Sequence, residues 1–263
     1  MPAVFRDGGD RRVVQCDGPW VRQVALVCVG GTFETKVADD EEALALVLGG
    51  TLDLFAGGSS WLQRGLRTTP FDGRPCAVYL PPKVGFRASG RGELLLVSGK
   101  RPPPRPTAND RPEPAGMPLL PLAGGKAFDA RTGTWEMLER FPSSPEAVLP
   151  RAIERLAVGD VAVERVFSFA FKAQALCLDE CVLGAGGFVT LPRPLTPPGL
   201  RYGDELLLFV RGEGTTQATQ AGTTRTCAAG DQVLRLRPDA DARIDAVDGR
   251  AYLAAVWAGP KPT

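Results

Sequence analysis

The stretch ELLLFVRGE, Glu205–Glu213, has a counterpart in EALALVLGG, Glu42–Gly50. Each opens on a glutamate, runs through six mostly apolar residues and arrives at a glycine. A short apolar run closed by glycine reads as a strand and its turn. Similar runs recur along the chain: RQVALVCVGG (Arg22–Gly31), TLDLFAGG (Thr51–Gly58), CAVYLPP (Cys76–Pro82) and GELLLVSG (Gly92–Gly99), then VAVERVF, DQVLRLRP and AYLAAVWAGP in the second half. They come about every ten residues and are punctuated by Gly, Pro and Asp, the pattern of antiparallel strands in a sandwich or barrel.

Arg101–Pro118 interrupts the pattern with a Pro-rich, polar run suited to an extended connection. We therefore expect a first domain at 1–100, a linker at 101–118 and a second domain at 119–263. One short helical segment is expected early in the second domain, over PEAVLPRAIERLA (Pro145–Ala157), with Ser144 as its cap and Pro150 as a kink.

The two blocks align further. In the second, Gly187 is followed by FVTLP, Arg193-Pro194-Leu195, a loop, Glu205, six residues and Gly212; downstream come Gly230, Pro238 and Asp241. In the first, Gly31 precedes TFETK, Val37-Ala38-Asp39, Glu42 and Gly49, with Pro81 and Phe86 downstream. This spacing resembles the two signature segments of the cupin superfamily. The resemblance implies an all-β bicupin of two jelly-roll-like β-barrels. In metal-bearing cupins three His and one Glu hold a divalent ion inside the barrel. Here the chain has no histidine. The ligand positions fall on Arg193, Leu195, Glu205 and Asp241 in the second block, and on Val37, Asp39, Glu42 and Phe86 in the first. Arg193 and Leu195 cannot ligate a cation.

The stretch WLQRGLRTTPFDGRPCAVYLPPKVGFRASG, Trp61–Gly90, is similar to the first domain of the 5-deoxy-glucuronate isomerase family, the IolB-type bicupins of inositol catabolism. The matching residues are Gly65, Arg67, Phe71, Pro75, Val78 and Tyr79. The likeness extends loosely from Val13 to Pro260. It implies aldose–ketose isomerisation of a deoxy uronic acid assisted by a metal, yet the departures fall on the metal ligands. A non-metal sugar-acid-binding, scaffold or regulatory relative is the expectation, with no cofactor. The alternative is an isomerase that uses Glu205 and Asp241 as acid and base, or an all-oxygen metal site.

Each candidate has a plainer reading. Glu205 can pair with Arg193 or another Arg. Asp241 can be a turn carboxylate. Arg67 suits a bidentate sugar-acid carboxylate, but equally a backbone carbonyl or a domain interface; Arg193 is the second substrate-binding candidate. Tyr79 reads as core. The six cysteines form no CxxC pair, and Cys177 and Cys181 lie four apart on one strand, too far to bridge. Reduced thiols and a cytoplasmic protein are the expectation. The net charge of +1 offers nothing to nucleic acid or an anionic membrane, and no apolar run has the length of a span. The partners expected are a small polar sugar acid and a second copy in a homodimer.

Overall fold

The computed structural model describes residues 9–16, 18–73, 75–101, 126–129, 134–137, 154–158, 161–167, 175–191 and 204–259. Every regular element among them is a strand. They are β1 (Gly9–Cys16), β2 (Val21–Lys36), β3 (Glu41–Ala56), β4 (Ser59–Arg67), β5 (Cys76–Leu80), β6 (Gly85–Lys100), β7 (Lys126–Asp129), β8 (Thr134–Met137) and β9 (Glu154–Val158). There follow β10 (Val161–Phe167), β11 (Leu176–Leu183), β12 (Phe188–Leu191), β13 (Glu205–Gly212), β14 (Thr216–Gln220), β15 (Thr223–Cys227), β16 (Gly230–Leu236), β17 (Ala242–Ala246) and β18 (Ala251–Ala258). The chain divides into a unit of residues 1–102 with 147–263, and a unit of residues 103–146 whose described part is the β7–β8 hairpin.

In the first half the apolar runs fuse into longer strands than their spacing suggests. EALALVLGG and TLDLFAGG are one 16-residue strand, β3, and β2 and β6 are equally long. What lets them bend is glycine midway along the paired strands, next to a register shift between Val47 and Gly49. Gly50 has φ +86°, and a Cβ there would lie 2.3 Å from the Arg91 carbonyl oxygen. Gly90 has φ +123°, and its Cβ would lie 2.7 Å from the Thr51 oxygen. No L side chain fits such a backbone so close to its neighbours. The order β1-β2-β6-β3-β4, with β5 also on β3, thus folds around an interior of Val27, Phe33, Val47, Leu52, Leu54, Leu80, Phe86 and Leu94.

The second half is two layers. One sheet has the order β16-β13-β18-β11-β10-β9, the other β12-β17-β14-β15. Leu206, Leu208, Val210, Leu253 and Trp257 from the first meet Val189, Leu191 and Ile244 from the second. Period-two alternation sends the intervening residues the other way. Leu207, Phe209, Tyr252, Ala254 and Val256 face Val24, Leu26, Leu44, Leu46, Leu95 and Val97 of the first half, and this third cluster joins the halves.

The expected helix does not extend to Ala157. Glu154–Val158 is a strand paired with β10, Val158 opposite Val161. Gly159-Asp160 separates these partners, a two-residue hairpin signal. That pairing competes with a helix already broken at Pro150. Ser144 and the rest of the segment through Ile153 lie outside the described residues, as do Arg74 and all of the linker beyond Arg101. No helix among the described residues is long and apolar enough to cross a membrane. Cys181 carries a free thiol and so is not bridged to Cys177, as their spacing along β11 requires.

Candidate functional site

The two opening stretches occupy equivalent places. Val21 of β2, Gly99 of β6 and Glu42 of β3 form one cross-strand row. Leu176 of β11, Ala258 of β18 and Glu205 of β13 form the matching row. The sheet orders match around them: β1-β2-β6-β3 in one half, β10-β11-β18-β13 in the other. The two Glu-to-Gly segments are copies of one unit.

Alternation along β3 puts Glu42 on the face of Leu44 and Leu46, not that of Ala43, Ala45 and Val47, which fill the barrel. Glu205 likewise shares the face of Leu207 and Phe209. Both glutamates therefore point at the opposite half. Glu42, fully buried, accepts the amides of Ala175 (2.8 Å) and Leu176 (2.9 Å), and the Tyr79 hydroxyl at 3.1 Å. Glu205, 3% exposed, accepts the amides of Trp20 (3.0 Å) and Val21 (2.9 Å) through Oε2. Its Oε1 lies 3.0 Å from the Arg235 guanidinium, an ion pair without hydrogen-bond alignment. Each half thus binds, by carboxylate, the first amides of the equivalent strand of the other. Gly18 makes the seat, since a Cβ there would fall 2.2 Å and 2.6 Å from the Glu205 oxygens.

A second polar group crosses the same apolar interface. Arg67 donates to Glu180 from Nη1 (2.8 Å) and Nη2 (3.2 Å), and to the Val47 carbonyl from Nε (3.0 Å) and Nη2 (2.6 Å). Tyr252 donates to Glu180 at 2.6 Å, and its ring packs edge-on against Phe71 and Phe209. Burial alone would lower the Arg67 pKa; Glu180 and then Tyr252 more than offset it and hold the guanidinium charged. Burial, reinforced by Glu180, raises the Tyr252 hydroxyl well above its usual range. Tyr79, core as expected, is raised by burial and then by Glu42. Nearer the surface, Arg211 binds Asp231 at 2.6 Å and 2.9 Å and Glu93 of the first half through both terminal nitrogens.

These contacts place the candidates. Arg67, expected to meet either a substrate carboxylate or a backbone carbonyl or domain interface, meets a carboxylate of the protein and the Val47 carbonyl, and it is 3% exposed. Glu205, expected as an acid or base, sits between the halves, paired with Arg235. Asp241 lies exposed in the connection from β16, of the sheet that carries Glu205, to β17 of the other. Arg193 and Leu195 lie outside the described residues. In the first half Val37 and Phe86 belong to the hydrocarbon interior, and Asp39 is an exposed partner of Lys83 at 3.5 Å. Among the described residues no three Cys, Asp or Glu side chains converge as a cation site would require. Glu180, Tyr252 and Arg211 were not foreseen. The signal for Glu180 was a charged Asp-Glu pair inside the apolar run LCLDECVL, and for Arg211 its spacing of two, four and six from Phe209, Leu207 and Glu205.

Neither a protein-family model nor a curated protein sequence matches the chain. Solved structures do. An IolB-like protein from Salmonella typhimurium superposes on the whole chain and 93% of its own, with a TM-score of 0.61 at 15% identity. The chain has an IolB-like bicupin fold. Two further solved structures share it more distantly. A putative glyoxylate-induced protein from Pseudomonas aeruginosa matches over 97% of this chain and 81% of its own (TM-score 0.56, 15% identity). Bacillus subtilis oxalate decarboxylase matches over 99% and 76% (TM-score 0.57, 13% identity). At such identity the likeness is one of fold. It fits the reciprocal rows, since a bicupin is one barrel motif used twice.

Proposed function

We propose that this bicupin acts by binding, as a sugar-acid-binding, scaffold or regulatory protein, and not through a barrel-held metal. One observation carries the reading: four of the residues at the ligand positions implied by the resemblance have other tasks. Val37 and Phe86 pack among hydrocarbon in the first barrel. Glu42 and Glu205 turn out of the barrels and accept amides of the opposite half. A carboxylate that already holds two N–H donors in a buried seat has little to offer a cation. The donor set therefore does not fit a divalent ion, and no isomerisation step is derived through one.

The test is elemental analysis of the untagged, full-length protein grown with manganese, iron, nickel and zinc, followed by a uronic-acid isomerase assay. The expected result is metal far below one equivalent per chain and no turnover. Near-stoichiometric metal with metal-dependent isomerisation would overturn the reading.

A further inference from the structure

At one end of the first barrel lies a groove of about 420 Å³. The end of β2, the β3–β4 turn and the start of β6 surround it. Its polar lining is Glu34, Thr35, Ser59, Ser60 and Arg87, with Phe55 beneath. The register sets Glu34, Arg87, Phe55 and Ser60 in a line: Glu34 opposite Arg87, Arg87 opposite Phe55, Phe55 opposite Ser60. Their neighbours Phe33, Leu54 and Phe86 point into the barrel, so this line faces out.

Two features single the groove out. The Arg87 guanidinium lies over the Phe55 ring, 4.2 Å from its centroid. Among the described residues it forms no ion pair or side-chain hydrogen bond, not even with the adjacent Glu34. Stacking fixes the plane of a guanidinium while leaving its N–H edges free to donate. The second feature is Gly85. Its φ is not positive, and a Cβ placed on it would meet nothing within 4 Å. Neither conformation nor packing calls for glycine there, and a larger side chain would intrude on the groove.

We propose that this groove is the ligand site of the protein: it takes a small hydroxylated carboxylate, the acid group on the Arg87 edge and the hydroxyls on Glu34, Ser59 and Ser60. A fixed guanidinium suits a planar carboxylate. A neighbouring carboxylate and two hydroxyls suit ligand O–H groups, and the glutamate disfavours an anion that has no hydroxyl to offer it. The site rests on the binding reading above and lies outside the barrel interior.

The experiment is calorimetric titration of the full-length protein with D-gluconate, D-glucuronate and tartrate, with acetate and sorbitol as probes bearing only one of the two features. The variants are Arg87→Gln, Gly85→Leu and, on the same strand but outside the groove, Arg91→Gln, with a thermal melt of each. At least one hydroxy acid should bind well above acetate and sorbitol. Arg87→Gln should weaken it tenfold or more, Gly85→Leu should abolish it, and Arg91→Gln should leave it unchanged, all with melts close to the parent. No binding of any hydroxy acid overturns the site, as does acetate binding equally well. Binding untouched by Arg87→Gln and Gly85→Leu places the ligand elsewhere: it overturns the groove and leaves the binding reading standing. Metal-dependent turnover does the reverse, because the groove titration needs no metal.

Discussion

Glu42 and Glu205 are the residues on which the two halves depend most directly. Each substitution Glu42→Gln and Glu205→Gln removes the charge from two amide hydrogen bonds in a buried seat. A loss of about 2–3 kcal/mol each is expected in urea unfolding, since bonds to charged groups exceed neutral ones by roughly 1 kcal/mol. Arg67→Met strands Glu180 in the apolar interface and should cost about 3–5 kcal/mol. Adding Glu180→Leu should recover much of it, a non-additivity that a double-mutant cycle reads directly. The tyrosines set an alkaline limit. Both hydroxyls are raised in the folded state from an ordinary value of 10.0. Below that pH their contribution is fully present. Above it the unfolded chain ionises while the folded one does not, and stability falls by at most about 1.4 kcal/mol per pH unit for each tyrosine. Denaturant midpoints at rising pH should decline, less steeply in Tyr79→Phe.

At the scale of the strand, glycine decides where the first sheet turns. Gly50→Ala puts a methyl group against the Arg91 carbonyl in a left-handed backbone. It should cost about 1–3 kcal/mol or more, visible as a lowered melting temperature, whereas Gly58→Ala pays the conformational cost without the clash, because nothing lies within 4 Å. Much at this scale was legible. Short continuous apolar runs located β3, β5, β6, β13 and β18, because burial on both faces selects such runs. What the spacing hid was their fusion: a glycine pair reads as a turn between strands, and only the paired partner at Arg91–Gly92 makes Gly49-Gly50 a bend within one strand. The helix over Pro145–Ala157 was overextended for a similar reason. Glu154–Val158 finds a hairpin partner, and a local helical pattern cannot register that non-local competition. The orientation of Glu205 was hidden too. Spacing from Glu to Gly is the same whether the carboxylate faces the barrel or the other half, and only the company of Leu207 and Phe209 decides.

For the molecule as a whole, the joining cluster and the crossing polar contacts make the two halves one folding unit. A single cooperative transition is expected for both, and Glu205→Gln should speed amide exchange at Trp20 and Val21 and through β2, on the half of the chain that was not altered. Hydrogen-exchange mass spectrometry would show this; an effect confined to β13 and β16 would contradict it. Repetition of the unit was readable from two quoted stretches, whereas the halves' embrace was not, since it is made by residues 133 and 185 positions apart. That embrace has an evolutionary side. The donors that Glu42 and Glu205 grip are backbone amides, which every amino acid except proline supplies. Ala175, Leu176, Trp20 and Val21 can drift in side chain and still present the same N–H groups. A joint keyed to the main chain asks selection to hold two glutamates and a glycine seat, and leaves the rest of the sequence free to wander far from its structural kin while the architecture stays in place.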